Sequence, residues 1–374
     1  MGKRIATVLL LLMMHTAGYC QVLKPGFDAD EYEGTLRRSC YQVDPEFRGA
    51  TPKESQYKRI FRGKQVGLHN RWDLWLNKDS SVMIVNLRGT TSDMDSWLEN
   101  FYSAMIPATG TLKLDSNVVF HYKLAADPKA MVHVGWTIGM ASLAPEVMAK
   151  IKEYYGKGIR QLIVEGHSQG GALSCLMTSY LRYQQMDGNL PADLTIKTYA
   201  SAAPKPGNLY YAYDYDYITR GGWAFTVVNA ADWVPETPVS IQTLSDFNKT
   251  NPFSNPAGQI KGQKRIVRVA LNYVYRRLTK TPRKAQRTYE KYVGRMAFKQ
   301  VKQYMRHLDE PTYTRSSNYM RAGTSVVLMP DADYYLKFPE AGDNVFRHHL
   351  FEPYYTLVEK IYKPVAAQAV NSHP

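Results

Sequence analysis

An α/β fold with a mostly parallel central sheet flanked by helices is predicted by three observations. Short β-branched and aliphatic runs bounded by turn residues recur along the chain. Helical patterns lie between several of these runs, as a parallel sheet requires. One run passes through a Gly-x-Ser-x-Gly turn directly into a helix. The composition, 44% hydrophobic and 21% charged, is that of a globular chain able to bury a substantial core.

The chain opens with Lys3 and Arg4 before an apolar run from Ile5 to Met14, then small and polar residues to Cys20 and Gln21. A membrane-spanning helix needs ~20 apolar residues, so this run fits the core of a secretory signal better than an anchor. Residues 1–20 are therefore read as a signal peptide, with Gly18 and Cys20 as the small residues at the cleavage site and Gln21 as the mature N-terminus. Retention and lipidation of Cys20 is the alternative, and bulky Tyr19 before it speaks against that. The mature chain is expected to be exported, either secreted or held in the periplasm or cell envelope. Cys40 and Cys175 then remain, too few for a disulfide framework.

Strands are predicted at Ser81–Leu87, Gln161–Glu165, Leu194–Ser201, Ala224–Asn229 and Thr324–Met329. Helices are predicted at Ala144–Tyr155, Gly171–Tyr183 and Glu352–Tyr362. Met94, Trp97, Leu98, Phe101, Tyr102, Met105 and Ile106 form a further helical stripe, readable as a lid or as a helix packed on the sheet. The mature chain, 21–374, reads as one catalytic domain without internal repeats. A helical insertion at about 255–308 interrupts it, with Ile266, Val269, Ala270, Tyr273, Val274 and Leu278 in helical period and Pro282 as a break. The net charge of +14 is concentrated there, with fifteen Lys and Arg against the single acid Glu290 between Lys261 and Arg306. Such a stretch suits an anionic membrane surface or a solvated helix face; no nucleic-acid module accompanies it.

Gly166-His167-Ser168-Gln169-Gly170 is the turn that carries chemistry. A serine nucleophile must project from a strained turn above the sheet. Glycines on either side remove the Cβ atoms that would collide there, and the following helix points amide hydrogens at a reacting carbonyl oxygen. This strand, turn and helix predict the α/β-hydrolase fold. The serine needs a base and the base an orienting acid, in the chain order Ser, Asp or Glu, His. Asp232, just past the strand at Ala224–Asn229 and before Pro235 and Pro238, is the best acid; Asp187, Asp193 and Asp214 are its rivals. Among later histidines, His307 lies in the basic insertion and His373 at the terminus. The adjacent His348 and His349 remain, and only one of two neighbours can face the serine.

The chain from about 80 to 355, outside the insertion, resembles the class 3 lipase family, which contains the fungal triacylglycerol lipases. VEGHSQGGAL resembles its GHSxGG signature, Leu87–Thr90 its FRGT or FRGS segment, and Val132–Trp136 its VHxGF. YASAAPKPGN at 199–208 resembles FGxPRVGN, and the segment from Val228 to Pro238 resembles VNxxDxVPxLP. MRAGTSVVL at 320–328 resembles HxGxEVWL. The resemblance implies Ser168 as nucleophile, Asp232 as acid and His349 as base, since His349 has Tyr354 five residues on whereas His348 has Pro353. It also implies an oxyanion hole from the backbone N–H groups of Thr90 and Gln169, with the Thr90 hydroxyl as a third donor. His133 is implied to be structural. Leu87 for Phe, Gln169 for Leu, Ala202 and Ala203 near a common Gly, and Lys205 for Arg depart from the pattern and bear on substrate choice more than on mechanism. The implied activity is hydrolysis of carboxylic, lipid-like esters, acting on a lipid or other ester with peripheral contact to a lipid surface. No metal or organic cofactor is called for, and no nucleic acid partner. An esterase of short-chain or phenolic esters, a phospholipase on anionic membranes, and a non-enzymatic surface-binding protein are the competing readings.

Overall fold

The computed structural model describes residues 22–43, 48–251, 260–261 and 263–363. The signal peptide at 1–20 with Gln21, the beginning of the insertion at 255–259, and His373 lie outside the described residues.

In chain order the elements are α1 (Ala29–Cys40), β1 (Tyr57–Arg62), β2 (Trp72–Asn77), β3 (Val82–Leu87), α2 (Met94–Phe101), β4 (Met105–Pro107), β5 (Thr109–Asp115), β6 (Val118–Lys123) and β7 (Met131–His133). They continue with α3 (Val134–Gly156), β8 (Gln161–His167), α4 (Gln169–Met186), β9 (Thr195–Ser201), β10 (Gly207–Asn208), α5 (Leu209–Ile218) and β11 (Ala224–Asn229). After α6 (Arg265–Glu290), a π-helical turn at Lys291–Met296 leads into α7 (Ala297–Tyr304). The chain closes with β12 (Tyr319–Met320), β13 (Thr324–Leu328), α8 (Ala332–Lys337) and α9 (Phe351–Tyr362).

Among the described residues, seven strands form the main sheet in the order β1-β2-β3-β8-β9-β11-β13. The pairs from β3 to β13 are parallel, and β1 and β2 join as antiparallel edge strands. The strand β8, which runs into Ser168, is thus central, between β3 and β9.

The alternation of side chains divides the sheet between two cores. Met83, Val85, Leu162 and Val164 face α3 and α4 in one. Val82, Ile84, Ile163, Phe225 and Val227 face α1 and α9 in the other. Burial on both faces explains why the central strands read as continuous apolar runs.

The five strands predicted from sequence coincide with β3, β8, β9, β11 and β13 within two residues at each end. The edge strands were not predicted, because TYR-LYS-ARG at 57–59 and buried Asp73 disguise their pattern. Asp73 is held by Arg62 at 2.8 Å and by Arg59 at 3.4 Å. The helix predicted at Ala144–Tyr155 is only the second half of α3, which carries Pro145 inside it. The stripe from Met94 to Ile106 is not one helix: α2 ends at Phe101, and Met105 and Ile106 belong to β4. Pro282 does not break the insertion helix, which runs through it from Arg265 to Glu290. Cys40 and Cys175 are buried free thiols, and burial pushes both up to about 12.

Candidate active site

The site begins at the C-terminal end of β8. Ser168 caps α4 with φ 62° and ψ −131°, a positive φ that a side chain rarely adopts. The turn closes because its glycines let backbones touch. A Cβ on Gly166 would collide with the backbone of Gly170, and one on Gly170 with the carbonyl of Leu87 in β3. A Cβ on Gly89 would stand 2.8 Å from the carbonyl oxygen of His167. The segment after β3 therefore lies directly against the elbow, which brings Thr90 to Gln169.

Thr90 and Gln169 meet through their side chains: the Thr90 hydroxyl donates to Gln169 Oε1 at 3.0 Å and accepts from Asn100 Nδ2 at 2.9 Å. The hydroxyl proton is thus committed to Gln169 rather than held as a third oxyanion donor. Among the described residues the backbone N–H groups of Thr90 and Gln169 have no hydrogen-bond partner.

Asp232 follows β11 and is buried. His349 Nδ1 donates to Asp232 Oδ2 at 2.7 Å. The Tyr354 hydroxyl donates to the same oxygen at 2.7 Å, and the Val234 backbone N–H to Oδ1 at 3.0 Å. Burial pushes the Asp232 carboxyl up, but the charge and hydrogen bond of His349, with the Val234 and Tyr354 donors, outweigh it and hold the carboxyl below its ordinary value. An ionised Asp232 fixes the proton on Nδ1 of His349 and leaves Nε2 as the basic nitrogen.

His348 points elsewhere. Its Nδ1 bonds the Tyr334 hydroxyl at 2.8 Å, its ring stacks on Tyr334, and its carbonyl accepts from Asn229 Nδ2 at 3.1 Å. The rival acids are also occupied elsewhere: Asp187 pairs with Lys123, Asp193 with Arg160, and Asp214 accepts from Tyr183. His133 is buried, stacked on Trp136 with 3.6 Å between ring centroids, and caps α3. Burial lowers its pKa to about 3, so it is a neutral part of the framework.

One residue of the site escaped the sequence reading. His167, the variable position inside the elbow motif, shares a face of β8 with Ile163 and Glu165. Burial lowers its pKa to about 3, so the ring is neutral. Its Nε2 donates to the backbone carbonyl of His349 at 2.8 Å, and its Nδ1 accepts from the Ser201 hydroxyl at 2.9 Å. The Tyr32 hydroxyl bonds Ser201 in turn at 2.7 Å. His167 thus ties the loop of His349 to the turn of Ser168, with 5.0 Å between the two imidazole centroids. The available signal was a polar residue at an inward period-2 position of a wholly buried strand. Among the described residues no hydrogen bond joins the Ser168 hydroxyl to His349; such bonds commonly tighten only when substrate is bound.

The surroundings are aromatic. Phe346 packs on Trp97 of α2 at 5.8 Å, on Trp233 at 5.4 Å and on His349 at 6.1 Å. The buried face of α2 is polar, with Asp95, Ser96 and Glu99, while Met94 and Phe101 are 71% and 62% exposed.

A parallel sheet with a strained serine between its central strand and the next helix, and a carboxylate–histidine pair on the following loops, defines an α/β-hydrolase. Residues 84–241 match the sequence model of the family described as lipase (class 3). It is 38% identical over 104 residues to a secreted mono- and diacylglycerol lipase 3 of Gibberella zeae. That match spans 28% of this chain and 29% of the relative. Similar solved structures include a triacylglycerol lipase from Penicillium expansum, at 17% identity over 57% of this chain and 75% of that one, TM-score 0.42. Another is the Rhizomucor miehei triacylglyceride lipase, at 17% identity over 57% and 77%, TM-score 0.41.

Proposed function

We propose that the protein is an exported serine hydrolase of carboxylic esters, acting on lipid esters in the manner of a triacylglycerol lipase. The observation that carries this reading is the buried Asp232–His349 pair docked by His167 against a strained Ser168 elbow. Nε2 of His349 takes the proton of the Ser168 hydroxyl as its oxygen attacks the ester carbonyl carbon. The N–H groups of Thr90 and Gln169 receive the oxyanion. His349 then gives its proton to the departing alcohol, and water repeats the sequence on the acyl-serine. The apolar outer face of α2 and the aromatic cluster of Trp97, Trp233 and Phe346 support a lipid acyl group as the substrate's body.

Export is supported by the leader-like N-terminus and by the name of the Gibberella relative. Among the described residues no helix is long and apolar enough to cross a membrane.

The test is hydrolysis of p-nitrophenyl esters of increasing chain length, triacylglycerols and phospholipids by the wild type and Ser168→Ala. Ser168→Ala is expected to lose kcat by about 10³-fold or more with the fold intact. Retained hydrolysis removes Ser168 from the role, and a preference for the shortest esters moves the substrate class away from lipids.

A further inference from the structure

The insertion helix α6 is the most unusual surface of the molecule. It has 26 residues, about 39 Å of helix at 1.5 Å per residue. From Arg265 to Lys280 none of its residues is buried; its first buried side chain is Gln286. Val267, Leu271, Val274 and Leu278 fall within about 60° of one another around the axis. These four are 41–50% exposed, an apolar stripe with no element of the fold against it among the described residues. Eight Lys and Arg share the helix with one acid, Glu290 at its last position. Arg268 and Arg277 border the stripe, and Arg265, Arg276 and Arg283 lie opposite it. Among the described residues none of the eight pairs with a carboxylate; Arg283 bonds the Ser245 hydroxyl and Arg277 the Tyr273 hydroxyl.

An exposed apolar stripe rimmed by unpaired cations is the pattern of a helix that lies at a lipid interface. We propose that α6 docks in the plane of an anionic lipid surface, its four stripe residues among the acyl chains and its Lys and Arg side chains on the headgroup phosphates. The same stripe spacing would serve a helix pair with a second copy of this chain, but that pairing brings the bordering cations Arg268 and Arg277 of one copy up against those of the other. A nucleic acid would satisfy the cations and leave the stripe in water. Only an anionic lipid surface satisfies both faces.

The root of α6 gives the docking a consequence at the site. Tyr289 bonds the Ser103 hydroxyl at 2.7 Å, and the carbonyl of Val293 in the π-helical turn accepts the Ala104 N–H at 3.1 Å. Ser103 and Ala104 follow α2 just beyond its cap Tyr102, and the chain of α2 leads back to Thr90. A docked α6 therefore holds the oxyanion side of the site at the surface that carries the substrate. The inference deepens the ester-hydrolase reading, and its test does not depend on the chemistry.

The experiment is sedimentation of the full mature chain and its Ser168→Ala form with vesicles of phosphatidylcholine alone and with phosphatidylglycerol added. Both forms are expected to bind the anionic vesicles on the order of tenfold more tightly, and high salt to weaken that binding. Leu271→Ser with Val274→Ser, and separately Arg276→Gln, Arg277→Gln and Lys280→Gln together, should each abolish most of the preference, with unchanged melting temperature as the fold control. Equal binding to both vesicles, or binding that survives both sets of changes, overturns the proposal. So does a dimer that the Leu271 and Val274 changes dissociate without any vesicle binding, or duplex DNA binding indifferent to those two changes. If anionic vesicles bind and no ester is cleaved, the hydrolase reading fails and the docking surface stands.

Discussion

Two adjacent histidines with opposite surroundings allow the base to be tested by a single pair of substitutions. His349 shares its Nδ1 proton with a buried carboxylate at 2.7 Å, whereas His348 bonds and stacks on Tyr334 at the surface of the same loop. His349→Ala removes the proton acceptor and leaves Asp232 buried with a lost partner; kcat should fall by about 10³-fold or more, as for the serine. His348→Ala removes one neutral hydrogen bond and should cost about 1 kcal/mol of stability with kcat within about tenfold. Steady-state kinetics and thermal unfolding on both variants decide the matter, and the reverse ranking would move the base to His348. The choice was legible in sequence only through the Tyr five residues after His349. The structure supplies the physical reason for that spacing: Tyr354, one turn into α9, donates to the Asp232 oxygen that also holds His349.

At the scale of elements, what was legible followed burial on both faces. β3, β8, β9 and β11 are buried along almost their whole length, and with β13 they carry enough β-branched and aliphatic residues to be readable without knowledge of their partners, as was the helix after the elbow. β1 and β2 were not, because their charges are resolved only by one another, through Arg62 and Asp73. The helix α2 was readable as a helix but not in orientation: its polar residues are the buried ones. Burial raises Glu99 to about 8, opposed by the hydrogen bond from Asn70. A carboxyl with a raised folded pKa keeps a proton that the unfolded chain gives up near 4.5, so its contribution favours folding below that pH and is lost as pH rises toward 8. Glu99→Gln keeps the neutral form at every pH. The variant's melting temperature, relative to wild type, should therefore be higher at pH 8 than at pH 4.5. A difference that stays constant between those pH values would show that Glu99 is not protonated in the fold.

On the scale of the whole molecule, the N-terminal segment ahead of the family-matched residues 84–241 is built onto β8, the strand that runs into Ser168. The Leu23 N–H donates to Gln161 at the start of β8, and Arg38 of α1 reaches Glu165 three residues before Ser168. Arg38 grips both carboxylate oxygens of Glu165, at 2.7 and 2.8 Å, and also Glu54 at 2.8 Å; Thr35 and Asn86 complete the shell of Glu165 at 2.9 Å. All three charges are about 1% exposed or less, so water screens none of them. The opposing charges hold the Arg38 guanidinium firmly in its cationic form, although burial alone pulls the other way. Replacing only the cation strands two carboxylates in a dry core. Arg38→Met is therefore expected to cost ~3–5 kcal/mol in urea unfolding, the size of a broken buried pair. Adding Glu165→Gln and Glu54→Gln removes the stranded charges, and most of that loss should return, because an intact buried pair contributes little beyond its own desolvation. A loss below ~1 kcal/mol for Arg38→Met, within the range of an exposed pair, would show that the network is wet and that the N-terminal segment does not brace the elbow.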